Sequence, residues 1–131
     1  MQRARRIQGA ACWLAALAVI LGAFGAHALE GRLDERAKEW YATASQYHFW
    51  HAVALWIAGD AVRTGRWGRV SAALFLIGIL LFCGSLYAMA LTGETWLGAI
   101  TPIGGLCFIA GWSLLAWAVL GEKGPRTGDA S

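Results

Sequence analysis

The chain has 131 residues, of which 58% are hydrophobic and 15% charged, with eight tryptophans and a mean hydropathy of +0.51. This composition excludes an ordinary soluble domain and indicates one small integral membrane domain. The net charge of +3 does not indicate nucleic-acid binding, because the basic residues are scattered over segment ends without a basic-aromatic stripe. The apolar segments are continuous rather than alternating, so we expect membrane helices and not a barrel.

The first predicted membrane helix covers residues 9–29, which carry no charge and follow a short leader with three arginines. About 21 residues at 1.5 Å each cross a hydrocarbon layer of about 30 Å. A basic start, an apolar stretch and the tripeptide Ala-His-Ala at 26–28 also fit a secretory signal with its cleavage site. We expect the helix to be retained, because the apolar run is longer than a signal core.

A polar connection follows at residues 30–45. Its apolar residues recur at spacings of three and four, which predicts a short amphipathic helix at about 33–44. Trp40 and Tyr41 would anchor this helix at the membrane interface, and Asp34 and Lys38 have the i,i+4 order of a favourable ion pair. No glycine or proline interrupts the segment, so we expect it to continue into the second membrane helix.

Three more membrane helices are predicted at about residues 44–62, 70–91 and 98–120. Asp60 and Arg63 have the spacing of an ion pair at the end of the second of the four. The polar residues 121–131 are expected to be a disordered tail. The predicted fold is therefore a single all-α domain, 1–131, built as a membrane four-helix bundle with one interfacial helix.

The basic residues predict the orientation of these helices. Eight fall on one side of the membrane and three on the other, where they lie among acidic residues. The positive-inside rule then puts both termini and the middle loop in the cytoplasm. The eight are Arg3, Arg5, Arg6, Arg63, Arg66, Arg69, Lys123 and Arg126.

Small residues within the apolar segments predict close helix packing. On a helix, spacings of four or seven place residues on one stripe, where small side chains let backbones approach in lipid. The predicted packing positions are Gly22, Gly25, Ala26, Gly78, Ser85, Gly104 and Gly111. The three cysteines, Cys12, Cys83 and Cys107, have no zinc or redox spacing, and we expect free thiols in an apolar environment.

The candidate functional residues are polar groups near the outer ends of the first two helices. We predict one polar cluster there, because the first helix ends at the membrane depth at which the second begins. Its members are His27, Gln46, Tyr47 and His51. Tyr47 and His51 share a face, since four residues make just over one turn. The neighbouring His48 lies partly off that face. Three alternatives remain for these residues: interfacial side chains with one wet end, a polar packing cluster, or a metal or haem site.

Several short segments resemble one family. Residues 22–29 (GAFGAHAL), the pairs Gln-Tyr at 46–47 and His-Ala at 51–52, and residues 84–87 (GSLY) are similar to its pattern, in the same order. Residues 101–105 (TPIGG) with 111–112 (GW) complete it. In these segments the chain resembles the YgdD-like family of small uncharacterised proteins of the bacterial inner membrane, a domain-of-unknown-function family. The resemblance covers about residues 9–120 and implies four membrane helices without known catalytic residues. At His48 the family pattern carries another polar residue such as glutamine.

The function predicted from the sequence is that of a non-enzymatic membrane accessory protein. Many small residues favour packing against a membrane-protein partner or a second copy, within the lipid bilayer. No catalytic residue, metal ligand set or cofactor motif is predicted. Two alternatives are kept: a small transporter or channel subunit that works as an oligomer, and a carrier of metal or haem at the outer histidine–tyrosine cluster.

Overall fold

A computed structural model of the chain describes residues 1–121. Four long helices account for most of this part: α1 (Gln2–His27), α2 (Glu35–Ala61), α3 (Arg66–Thr92) and α4 (Thr101–Leu120). Short 3₁₀ turns precede α3 (Val62–Thr64) and α4 (Thr95–Ala99). No strand occurs in residues 1–121, so the all-α class is confirmed there. The predicted disordered tail at 121–131 lies almost wholly outside the described residues.

Three helical stretches are long and apolar enough to cross a membrane: Gln2–His27, Arg66–Thr92 and Thr95–Leu120. The exception is α2, because its first turns carry charges and its middle carries Gln46, His48 and His51. Nevertheless, α2 runs antiparallel along almost the whole of α1. Gly59 approaches Gln8 near the start of α1, and the Tyr41 hydroxyl donates a hydrogen bond to Leu21 O near its end.

The helices pack in chain order. α1 packs almost entirely on α2, α2 packs on α1 and α3, and α3 packs on α4. The core is therefore built along α2 and α3, whose buried residues include Leu55 and Phe75. Of the cysteines, Cys83 is buried in this core, Cys107 is partly buried and Cys12 is exposed on α1.

The polar residues that open α2 form a helix that continues into the second membrane helix as predicted, but with a different ion pair. The Asp34 side chain accepts a hydrogen bond from Ala37 N at 2.8 Å and so caps the helix. Lys38 consequently pairs with Glu35, at 2.9 Å, rather than with Asp34 as the spacing had predicted. Residues 35–44 continue into the rest of α2 without a break. At the other end, the predicted pair of Asp60 and Arg63 is confirmed, with atoms 3.4 Å apart.

Two helices also differ from the prediction, α1 in its start and α3 in its middle. The basic leader belongs to α1, which begins at Gln2 rather than near residue 9. α3 is not a regular helix throughout, because residues Ile79–Cys83 form a π-helical segment in its middle. Wider turns of this kind displace the local backbone. The displaced backbone at Phe82 lies against Gly104 of α4, where a side chain would collide with it.

Candidate functional site

The main candidate site is a cluster of aromatic rings around His51, in the interior of the protein. The imidazole is 5% exposed and stacks on the Phe108 ring, with centroids 3.6 Å apart. Phe75 of α3 and Trp112 of α4 lie against it at centroid distances of 6.0 Å. The Tyr47 ring lies nearly parallel to the imidazole, with centroids 5.7 Å apart. We call these five residues the His51 cluster; it joins α2, α3 and α4.

Hydrogen bonds determine the protonation of His51. Nδ1 lies 2.8 Å from Tyr47 O, and a carbonyl oxygen only accepts, so Nδ1 carries a hydrogen. The Trp112 indole N–H lies 3.1 Å from Nε2, and an indole only donates, so Nε2 carries the lone pair. Both bonds require the same neutral tautomer. His51 is therefore held as a neutral ring with both nitrogens in use.

His48 lies one turn closer to the start of α2 and faces another part of the protein. Its ring is 3% exposed, and Nδ1 lies 3.1 Å from the Tyr87 hydroxyl of α3. The ring lies near the Leu14 backbone of α1, and its Nε2 is buried without a hydrogen-bond partner among residues 1–121. One polar atom at the contact of α1 and α2 is thus left unsatisfied, at a cost of about 1–3 kcal/mol.

The cluster predicted from the sequence is brought together only in part. Tyr47 and His51 are in contact, but His27 is exposed at the end of α1 and bonds to neither of them within the described residues. Gln46 is exposed too, and it lines an open groove of about 660 Å³ between the C-terminal half of α1 and the N-terminal half of α2. The contact of His48 with α1 falls at Leu14, near the middle of that helix. The two buried histidines therefore lie near mid-depth of the helices, not at their outer ends.

The small residues singled out from the sequence lie at close helix contacts, with one exception. A Cβ at Gly22 would lie 3.0 Å from Ser45 Oγ, and Gly25 faces the Tyr41 ring of α2 in the same way. The Ser85 hydroxyl bonds to Thr101 at 2.6 Å, which ties α3 to the start of α4. Ala26 is exposed and lines the open groove. The remaining three, Gly78, Gly104 and Gly111, lie between α3 and α4 against phenylalanine rings or backbone.

Sequence reasoning missed the aromatic partners of the histidines. Trp112, Phe108 and Tyr87 lie on helices distant in sequence from α2, so no periodicity within α2 reveals them. A signal was present, because Trp112 follows Gly111 and Tyr87 follows Ser85 in two of the segments that carry the family resemblance. Those segments are where the buried polar groups of α2 find their partners.

The arrangement is poorly suited to hold a metal. A metal at His51 would have to displace the bond to Tyr47 O or the bond from Trp112. His27, the third histidine, is apart from the other two. Within residues 1–121, no three residues of the types His, Cys, Asp and Glu lie together in the geometry of a metal site.

Comparisons with known proteins agree on one family. Residues 21–105 match a family model described as "Protein of unknown function (DUF423)". A UPF0382 membrane protein of Haemophilus influenzae is 43% identical over 106 residues, which cover 80% of this chain and 86% of the relative. The UPF0382 membrane protein YwdK of Bacillus subtilis is 43% identical over a stretch that covers 81% of this chain and 89% of the relative. The UPF0382 inner membrane protein YgdD of Escherichia coli is 39% identical, covering 74% and 76%. No solved structure matches the chain.

Proposed function

The chain belongs to the DUF423 family, whose relatives are named membrane proteins, and we propose that it is a non-enzymatic accessory protein of the bacterial inner membrane. Its action in this proposal is association through helix α1 with another membrane protein or with a second copy of itself. The observation that carries the proposal is the way α1 is attached to the other helices.

One narrow stripe holds α1 in place. Its buried residues are Ala4, Ala11 and Ala18, spaced seven apart, and Gly25 continues the spacing against Tyr41. Seven-residue spacing of small residues is typical of helices that pack along a shallow left-handed crossing. Only 11% of the most apolar stretch of α1 is buried, against 44% for that of α3. Most of the surface of α1 therefore faces away from the rest of the protein.

The exposed surface of α1 carries a second stripe of large apolar residues. Trp13, Leu17, Ile20 and Phe24 follow one another at spacings of four, three and four, and Trp13 is 79% exposed. Trp13 is two residues, or about 200°, from Ala11, so this outward stripe lies opposite the one that contacts α2. Large side chains on an outward helix face offer area for contact with another helix.

The polar interior favours an architectural role over catalysis. Ser71 donates to Gly111 O at 2.8 Å, Ser85 bonds to Thr101, and both nitrogens of His51 are engaged. Hydroxyls and imidazoles that bond to backbone and to one another hold helices in register. None of these bonds forms a pair of nucleophile and base, which acyl or phosphoryl transfer would need.

Association through the outward stripe can be tested by replacing its residues. We expect the protein, purified in a mild detergent, to have a molar mass by light scattering above that of one 14.1 kDa chain, either as a dimer or with a stoichiometric partner. The double variant Trp13→Ala/Ile20→Ala should lose this extra mass, because it removes the two most exposed side chains of the stripe.

A matched control removes comparable apolar area elsewhere. Leu106 and Ile109 on α4 are 66% and 65% exposed, so Leu106→Ala/Ile109→Ala should leave the mass unchanged. A wild-type protein of one chain without partner would contradict the proposal. Equal loss in both double variants would also contradict it, since the effect would then not depend on α1.

We further propose that α2 crosses the membrane and that both termini are cytoplasmic. Antiparallel contact along nearly all of α1 supports a crossing by α2, and eight basic residues against three support the orientation. A reporter that is active only in the periplasm should be inactive when fused after Ser131 and active when fused after Gly93. The reverse pattern of activity would overturn this proposal, since it is expected either if α2 does not cross the membrane or if the orientation is inverted. Activity of both fusions or of neither would mean that no helix crosses between Gly93 and Ser131.

A further inference from the structure

A second groove, of about 320 Å³, lies between α1 and α3 at the end where both helices begin. One wall is a stripe of α1 that contains Arg3, Ile7 and Ala10, and Leu55 of α2 closes the floor. The other wall is a stripe of α3, where Arg69, Ala73 and Leu76 repeat the spacings of four and three and Ala72 lies beside them. Each wall therefore has an arginine at the membrane surface and apolar residues below it.

The groove exists because α1 packs on α2 and makes few contacts with α3. The alanines on both walls have side chains too small to fill the space between the helices. From Arg3 to Ala10 the wall extends about 10 Å along the helix axis, at 1.5 Å per residue. That depth lies within one leaflet, whose hydrocarbon part is about 15 Å thick.

The two arginines have no anionic partner in the described part of the chain. Both ion pairs found within residues 1–121 involve other residues, Lys38 with Glu35 and Arg63 with Asp60. Arg3 and Arg69 are both exposed at the mouth of the groove. Guanidinium groups bind phosphate oxygens in a bidentate geometry, so two of them at one mouth suit a phosphodiester.

We propose that this groove binds an anionic phospholipid, with the phosphate between Arg3 and Arg69 and an acyl chain along Ile7, Leu55 and Leu76. Basic pockets between membrane helices are typical sites for anionic headgroups. The apolar walls favour a lipid over a free phosphate, because a free anion would leave them without a partner of matching chemistry. The site is separate from the outward stripe of α1 and does not depend on the proposed association.

The test measures lipid retention by native mass spectrometry of the purified protein. We expect wild type to retain phosphatidylglycerol about tenfold better than phosphatidylethanolamine, since two arginines near a surface each strengthen binding to anionic lipid several-fold. Arg3→Gln/Arg69→Gln should lower phosphatidylglycerol retention to the level of phosphatidylethanolamine. Ala73→Phe should lower it as well, because the ring fills the groove while both charges remain.

The matched control is Arg5→Gln/Arg66→Gln, which removes the same charge from the same two helix starts outside the groove. This variant should retain phosphatidylglycerol as wild type does. Equal loss in the control would overturn the proposal in favour of diffuse surface attraction. If Ala73→Phe still retained phosphatidylglycerol, and inorganic phosphate displaced the lipid, the proposal would be overturned in favour of a simple anion site.

Thermal melts with and without phosphatidylglycerol are a second, independent measurement. The lipid should raise the Tm of wild type and of the control, but not that of Arg3→Gln/Arg69→Gln.

Discussion

Replacing Gly104 by alanine should destabilise the protein by about 3 kcal/mol, the upper end of the usual cost of overpacking. A Cβ at this position would lie 2.7 Å from Phe82 Cβ and 2.8 Å from its Cα, and still closer to the Phe82 nitrogen. Two of these three are backbone atoms and Cβ is bonded directly to the backbone, so none of them can turn aside as the end of a side chain can. The π-helical segment of α3 would have to move away from α4. Thermal melts in one detergent measure the effect.

The next residue provides the control. A Cβ at Gly105 would lie 3.7 Å from the edge of the Phe82 ring, an ordinary contact distance. Gly105→Ala should therefore be neutral or slightly stabilising, since alanine is favoured over glycine in a helix by up to about 1 kcal/mol. The helix-propensity gain is common to both variants, so their difference isolates the clash. Equal melting temperatures for the two variants would mean that α3 and α4 are not in contact at Gly104.

The second large effect is expected at His51. His51→Ala removes a buried ring that stacks on Phe108 and leaves the indole N–H of Trp112 without its acceptor. A cavity and an unpaired donor together should cost about 3 kcal/mol or more. His48→Ala should cost less, about 2 kcal/mol, because the cavity and the lost partner of Tyr87 are partly offset by removal of the unsatisfied Nε2. Melts of both variants in the same detergent test this order.

Trp112→Phe separates the hydrogen bond from the packing. This variant keeps an aromatic ring near His51 but removes the indole donor, so we expect a loss of about 1 kcal/mol. In the double variant His51→Ala/Trp112→Phe the unpaired donor is absent, and the combined loss should be smaller than the sum of the two single losses. Additive losses, or a larger loss in His48→Ala than in His51→Ala, would mean that the bond between α2 and α4 has been assigned incorrectly.

A single helix contains enough information to predict its own position in the membrane. The long uncharged stretches at 9–29, 70–91 and 98–120 determine three spanning helices, because every backbone polar group in lipid must be satisfied within its own segment. The family followed from short segments distributed along the chain. Local pairs followed too: Asp60 and Arg63 are three residues apart, so the geometry of one helix is sufficient to bring them together.

Contacts between helices could not be obtained in this way. The sequence predicted that His51 would join His27 at a helix end, since helix ends were the only features whose depths could be matched. The partner of His51 is Trp112, 61 residues away on another helix. The rotation and depth of each helix decide such a pairing, and both depend on how all four helices pack together.

The sequence alone determined that the chain is helical, that it belongs in a membrane and which of its residues are small enough for close packing. Only the tertiary structure decided that a side chain at Gly104 would collide with a backbone, whereas one at Gly105 would make an ordinary contact with a ring. Likewise, only the tertiary structure showed that Arg3 and Arg69 line one groove. The physical reason is the range of the interactions. Hydropathy and backbone hydrogen bonding act within one segment, whereas steric fit and side-chain pairing depend on surfaces that meet only when the helices are assembled.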